Sequence, residues 1–454
     1  MPTRNEGNGG RLSLGQTLAY SAGELAATYL PMALTMWLMY FYYPPDEQGN
    51  VTAPLMNLAA FSLVQFIGKI SDSLSNPLVG YLSDRTKSRW GRRIPYIIFG
   101  TPLMALSTAL IWFPPSDHPG MANNLWLLVN LVVFWSSYTF VVAPYLALMP
   151  EIARSNEERI KVGGFMAGGD ILGFLIAGVV IGMGVPMLKG KVNFGPITDP
   201  YKLMFILSGI MVLVLFYLTW WFIKEPPHSE AKEIKMGFFE SISETLKNPT
   251  FPWWILTITL LNPIRGVIFG IMPYFTKSVL KLGDDAEMFA ALFQVAILLG
   301  AGLCLPLINW AANKYGKKAV FMYGVLTFAA VMPLNVAIAF LPLGPGAIKF
   351  VSMAGFVLLG PGAASMLTLW RPIISDVIDF DEKLTGYRRE AIYMGVEGLI
   401  GKLGDGMAPI IIAVSFALFA VGGDISRGVL AAMIIDSFLV IVTCLIFRKF
   451  PFTK

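Results

Sequence analysis

Apolar runs long enough to cross a bilayer recur along this chain, and they leave very few folds open. A membrane span needs about 20 mostly apolar residues. Twelve segments qualify, at approximately 14–43, 54–83, 94–114, 122–149, 162–187, 200–224, 252–277, 285–311, 319–341, 346–371, 391–418 and 426–448. Inside lipid every backbone N–H and C=O must be satisfied within the protein, so runs of this length form helices. The predicted fold class is therefore an all-α membrane protein with twelve transmembrane helices. At 55% hydrophobic and 14% charged residues, the 454-residue chain is too apolar for a soluble enzyme.

An even number of spans puts both termini on one side, and 24 of the 34 Lys and Arg residues fall on that side. Basic loops stay in the cytoplasm. The expected protein is multi-pass, in a plasma or bacterial inner membrane, with both termini cytoplasmic. Because the net charge of +5 is dispersed over short loops and forms no stripe, nucleic acid is not an expected partner. The first dozen residues are polar and glycine-rich, which predicts no removable signal peptide. Cys304 and Cys444 lie in apolar runs while His118 and His228 lie in loops, so neither a disulfide framework nor a metal centre is expected.

The longest polar connection, 224–251, divides the chain into 1–223 and 252–454, each with six predicted spans. Its Phe and Ile spacing fits an amphipathic helix on the membrane surface or a plain linker. Each half also carries a basic, glycine-containing turn after its second span, DRTKSRWGRR at 84–93 and NKYGKK at 313–318. A weak internal repeat of this kind is the pattern of a major facilitator bundle, two parallel halves rocking about a central cavity.

Asp72 falls inside the second span, where a charge costs about 2.5–3.5 kcal/mol and is usually functional. The plain alternative is an ion pair with Lys69, one turn earlier. Measured along each helix at 1.5 Å per residue, Asp72, Thr139, Arg265 and Lys402 lie roughly 15–20 Å from the cytoplasmic end, with Glu24 and Asp170 shallower. Arg265, between a Pro and a Gly in LNPIRGVIF, is expected at a local helix break. It could clamp a carboxylate, sulfonate or phosphate, or serve as structural partner to Asp170 or Glu397. Lys402 faces the cavity or pairs with Asp405. Glu24, on one face with Thr28, is either a cavity acid or a helix cap. Arg371, Asp376, Asp379, Arg388 and Arg389 are expected at the cytoplasmic face, forming a gate with Asp84, Arg85, Arg92 and Arg93. The glycine-rich stretches 163–170 and 358–365 read as close-packing surfaces and not as phosphate loops, and the Phe and Trp residues mainly as lipid-facing bulk.

Asp72 followed by NPLVG, the long basic loop SDRTKSRWGRRIPY, and DVIDFDEKLTGYRREA at 376–391 together resemble the glycoside-pentoside-hexuronide:cation symporters of the major facilitator superfamily. That group includes both sugar and lysophospholipid symporters. The resemblance implies a cation site of two aspartates one turn apart, an Asn between them and a Thr on helix four. The matching positions are Asp72, Ser75 in place of the Asn, Asn76 in place of the second aspartate, and Thr139. Half of the carboxylate charge is missing. Oxygen ligands of this kind suit sodium, whereas a single buried carboxylate suits a proton.

At the family's sugar-binding positions stand Thr28, Val142, Leu146 and Met166, which would leave sugar hydroxyls unpaired at about 1–3 kcal/mol each. Lys402 matches the family's helix-eleven lysine. The resemblance thus implies a cation-coupled symporter, driven by a proton or sodium, of a small organic solute that is not a galactoside. Glu24, Thr28, Asp170, Arg265 and Lys402 would bind that solute, and the chain would act as a monomer with no cofactor beyond the coupling ion. The alternatives are an uncoupled facilitator and a carrier of an anionic or amphiphilic solute such as a lysolipid. With no HExxH motif, Ser/His pairing or metal cluster, a membrane enzyme is not expected.

Overall fold

The computed structural model of the protein describes residues 12–451 apart from 47, 52, 154, 196, 226–242, 244, 387 and 388. Nearly everything described is helical. In chain order the helices are α1 (Leu14–Tyr42), α2 (Leu58–Arg85), α3 (Ile94–Leu110), α4 (Met121–Ile152), α5 (Asn156–Leu175), α6 (Ile181–Leu188) and α7 (Pro200–Phe222). They are followed by α8 (Phe251–Tyr274), α9 (Ala286–Tyr315), α10 (Lys317–Ile338), α11 (Pro345–Val357), α12 (Gly360–Thr385), α13 (Glu390–Asp405), α14 (Ala408–Phe419) and α15 (Ser426–Arg448). Among the described residues, nine helical segments from Met121–Ile152 onward are long and apolar enough to cross a membrane, and Ile94–Leu110 is apolar but shorter. Helices α1 and α2 are long enough, at 29 and 28 residues, but carry more polar groups.

Local sequence sets where these helices begin and end. Ser13 and Gln16 form a reciprocal capping box at the start of α1, each side chain accepting from the other's backbone N–H at 3.2 and 3.0 Å. At the other extreme Gly386, with φ of +75°, ends α12 in the left-handed conformation that favours glycine. The helix break expected at Arg265 is absent: α8 runs through Pro263 and Gly266 unbroken, and its irregularity comes later, as a π-helical turn at Phe275–Val279. A second π-turn, Ile176–Val180, joins α5 to α6. There the Ala177 carbonyl accepts from Trp37 Nε1 at 2.9 Å. Irregular backbone thus occurs where a buried side chain satisfies it.

Contacts concentrate within two groups, α1–α7 and α8–α15. Between the groups α2 packs on α13 and α14, α6 and its preceding π-turn pack on α9, and α1 packs on α8. Small residues set the closeness of several of these seams and of the seams inside each group. On Gly169 of α5, for example, an added Cβ would lie 2.8 Å from the Ser21 carbonyl of α1. Some aromatic residues depart from the lipid-facing expectation: Trp37, Trp112 and Trp254 are fully buried. Trp112 stacks on Tyr201 with ring planes 5° apart and a centroid distance of 5.7 Å. Filling gaps between long helices takes large flat side chains.

At the end away from the termini the two groups are tied together. Tyr274 Oη donates to the Tyr43 carbonyl at 2.9 Å, Gln294 Nε2 to the Phe174 carbonyl at 3.0 Å, and Ile425 N to the Gly49 carbonyl at 2.8 Å. The segment that read as an amphipathic helix or linker lies mostly outside the described residues.

Candidate functional site

Asp72 is 1% exposed in the middle of α2, at the seam with α4 and α13. Its Oδ1 accepts from Thr139 Oγ1 of α4 at 2.6 Å and from Lys402 Nζ of α13 at 2.6 Å. Lys69, one turn earlier on α2, places Nζ 3.7 Å from Asp72 Oδ2 and 3.3 Å from the centroid of the Trp135 ring. One carboxylate therefore holds a hydroxyl and two ammonium groups. Lys402 comes from the second helix group, which makes its bond to Asp72 a tie across the molecule. Close by, Ser73 Oγ donates to the Leu399 carbonyl and makes a second tie between α2 and α13.

The remaining cation-site positions do not converge on Asp72. Ser75 Oγ turns back to donate to the Ser71 carbonyl at 2.6 Å, with Ser136 Oγ at 3.5 Å. Asn76 is half-buried and makes no hydrogen bond among the described residues. A hydroxyl inside a helix reaches the carbonyl four residues back more easily than a neighbouring ligand, and that local geometry wins here.

The pairings of the deep charges also differ from expectation. Arg265 pairs with Asp405 at 3.2 Å, and neither Asp170 nor Glu397 is its partner. Asp405 was the alternative partner for Lys402, and taking Arg265 leaves Lys402 to Asp72. Glu397 instead accepts from Trp254 Nε1 at 3.2 Å.

A second cluster lies on α1 and α5. Thr28 Oγ1 donates to Asp170 Oδ1, and Glu24 acts electrostatically on Asp170 while one of its own carboxylate oxygens is buried with no hydrogen bond. From the other helix group, the exposed Arg371 is close enough to act electrostatically on Glu24, Asp170 and Glu397. The sequence reading put Arg371 at the cytoplasmic rim. It lies fourteen residues before the end of α12, roughly 20 Å in from that end. Tyr138 was missed altogether. It is within electrostatic range of Asp72, Glu24, Asp170 and Arg265 while its hydroxyl donates to the Ala27 carbonyl at 2.8 Å, so it stands between the two clusters. Its signal was its place beside Thr139 on a helix rich in aromatics.

The gate residues form two separate latches. Arg92 and Arg93 both reach Glu151, the latter at 3.2 Å, and Glu225 accepts from the Arg93 backbone N–H at 2.8 Å. In the second group Lys317 pairs with Asp376 at 2.5 Å, and Arg389 bonds Asp381 through two nitrogens at 2.9 and 2.6 Å. Each of these pairs stays within one helix group. Arg85 ends α2. Arg388 and the Asp84 side chain lie outside the described residues.

Residues 19–452 match the MFS/sugar transport protein family. The chain belongs to that family. It is a multi-pass membrane transport protein and not an enzyme. Among curated relatives it is 24% identical to the sodium-dependent lysophosphatidylcholine symporter 1-B of Danio rerio, covering 98% of this chain and 88% of that one. It is 23% identical to the glucuronide carrier protein homolog of Escherichia coli, over 87% and 81% of the two chains. The solved D-xylose-proton symporter superposes with a TM-score of 0.67 at 14% identity, over 97% of this chain and 98% of that one, and so shares the fold.

Proposed function

We propose that this transporter is a cation-coupled symporter of a small organic solute, with Asp72 as the residue that the coupling cation neutralises. The observation that carries this reading is the Asp72–Lys402 bond, a buried carboxylate tied across the two helix groups at 2.6 Å. Placing a proton or sodium on Asp72 removes its negative charge and weakens its hold on Lys402. The halves then separate along α2 and α13 at lower cost, because breaking a buried pair without such compensation costs about 3–5 kcal/mol. In this scheme α1, α2 and α3 cross the membrane with the nine apolar segments. The result is twelve spans in two six-helix halves, 1–223 and 252–454, around a connection at 224–251 whose two ends, like both termini, face the cytoplasm. The chain acts as a monomer.

The solute site falls between Glu24, Thr28 and Asp170 on one side and Arg371, Arg265 and Lys402 on the other. Val142 is buried and Leu146 exposed at positions where a galactoside carrier needs polar groups, so the solute carries a charged group and apolar bulk. Relatives that include lysophosphatidylcholine symporters and a sphingosine-1-phosphate transporter agree with an amphiphile. The test is Asp72→Asn in proteoliposomes, with a solute first identified by thermal stabilisation of the purified chain. Gradient-driven accumulation should disappear while solute exchange persists. Unchanged uphill uptake overturns the assignment.

A further inference from the structure

The charges around Asp72 do not balance. One carboxylate, 1% exposed, faces the ammonium groups of Lys69 and Lys402, which leaves the cluster with one positive charge. Widening the view does not change the sum, because Arg265 and Asp405, both within electrostatic range of Lys69, pair with each other. A metal cation arriving here would add a second positive charge to a buried, already cationic site. It would also find few oxygen ligands. Asp72 Oδ1 is taken by Thr139 and Lys402, and Ser75 is turned to its own helix backbone. Asn76 supplies an amide where a second carboxylate would restore neutrality.

Lys69 occupies the place such a cation would need. Its Nζ is between the free oxygen of Asp72 and the face of Trp135, at 3.7 and 3.3 Å, and an aromatic face of this kind attracts a positive charge. A covalently attached ammonium cannot leave, so it fills the site permanently and without loss of a free ion's entropy. We propose that Lys69 is a tethered replacement for a metal cation, so that the Asp72 site excludes sodium and the transporter runs independently of it. This deepens the symport reading and rests on it, and it leaves the proton as the coupling ion.

The experiment uses the purified full-length chain in detergent, with radioactive sodium binding and thermal unfolding measured in sodium, potassium and choline chloride at equal ionic strength. The unaltered chain should bind no sodium and unfold at one temperature in all three salts. Lys69→Gln removes the tethered charge, and Asn76→Asp, an independent route to neutrality, adds the missing carboxylate. Either substitution should make sodium binding measurable, about tenfold or more above the background of the unaltered chain, and make the unfolding temperature sodium-dependent. Lys69→Arg should stay blind to sodium. Sodium-specific stabilisation of the unaltered chain that Asp72→Asn removes would overturn the proposal, as would sodium-blind behaviour of both altered chains once circular dichroism shows them folded. Neither result touches the symport reading, which stands or falls on uptake driven by a proton or sodium gradient in the unaltered chain and its loss in Asp72→Asn.

Discussion

The two deep clusters of this transporter are built from the same residue types and are finished differently. Around Asp72 the charged groups have partners: Thr139, Lys402 and Lys69 surround one carboxylate, and Arg265 takes Asp405. Around Glu24 and Asp170 the pairing is incomplete, with a buried Glu24 oxygen unbonded and Arg371 facing the acids from the other group at longer range. A satisfied cluster holds a conformation. An unsatisfied one is a place where a ligand gains most, because it supplies the missing partners. The contrast fits the proposed function, in which Asp72 would hold and couple while the acids with Arg371 would recognise the solute.

The largest effect should come from emptying the satisfied cluster. Asp72→Ala leaves two ammonium groups facing each other, and the chain should lose about 3 kcal/mol of stability in reversible unfolding. An unchanged stability would mean that the cluster is not a structural tie. Lys402→Met comes next. Lys69 remains as a partner for the carboxylate, so a loss of about 2 kcal/mol is expected, together with faster labelling of cysteines introduced along the α2–α13 seam. The third test moves to the other cluster: Arg371→Gln should change stability by less than about 0.5 kcal/mol, since the side chain is exposed, while abolishing stabilisation by an anionic amphiphile. Equal effects of Lys402→Met and Arg371→Gln on both readouts would erase the distinction between the clusters.

The smallest effect serves as a reference. Lys189 and Asp284 form a fully solvent-exposed pair at 3.0 Å, in which the hydrogen bond and charge of Lys189 hold the Asp284 carboxyl below its usual range. A lowered folded pKa means that the pair's contribution is present above the ordinary carboxylate range and fades as the pH falls through the lowered value. Lys189→Ala should therefore leave the unfolding temperature unchanged at neutral pH in physiological salt. A clear drop would show that long-range charge matters more here than local pairing.

Much of the fold was legible because membrane spans are read from composition over long windows, where single residues matter little. Asp72 was legible for a related reason, as a charge in apolar sequence is conspicuous. Its partner Thr139 came from the family resemblance. Partnerships between helices were harder. Lys402 was expected to face the cavity or pair with Asp405 one turn away, and it bonds Asp72 instead because Arg265 from α8 takes Asp405. The helix break expected from Pro263 and Gly266 failed because tight packing of α8 against α13 and α15 supports a continuous helix through both residues. Arg371 was misplaced because its helix runs deeper than the hydropathy boundary at which it stands.

Sequence alone determined that this chain is a helical membrane protein of the facilitator type, since lipid admits few ways to satisfy a backbone and apolar length records each crossing. It also singled out Asp72, the buried acid on which the proposed mechanism rests. Only the tertiary structure decided what that acid holds beyond its own helix: Thr139 of α4 and Lys402 of the second helix group, with Lys69 set against the Trp135 ring. It separated the fully paired cluster from the incompletely paired one, and it joined gate charges within each helix group, Arg92 and Arg93 to Glu151 and Arg389 to Asp381. The physical reason is that a span is a local property, whereas an ion pair inside a membrane is settled by which groups the packed helices bring within reach.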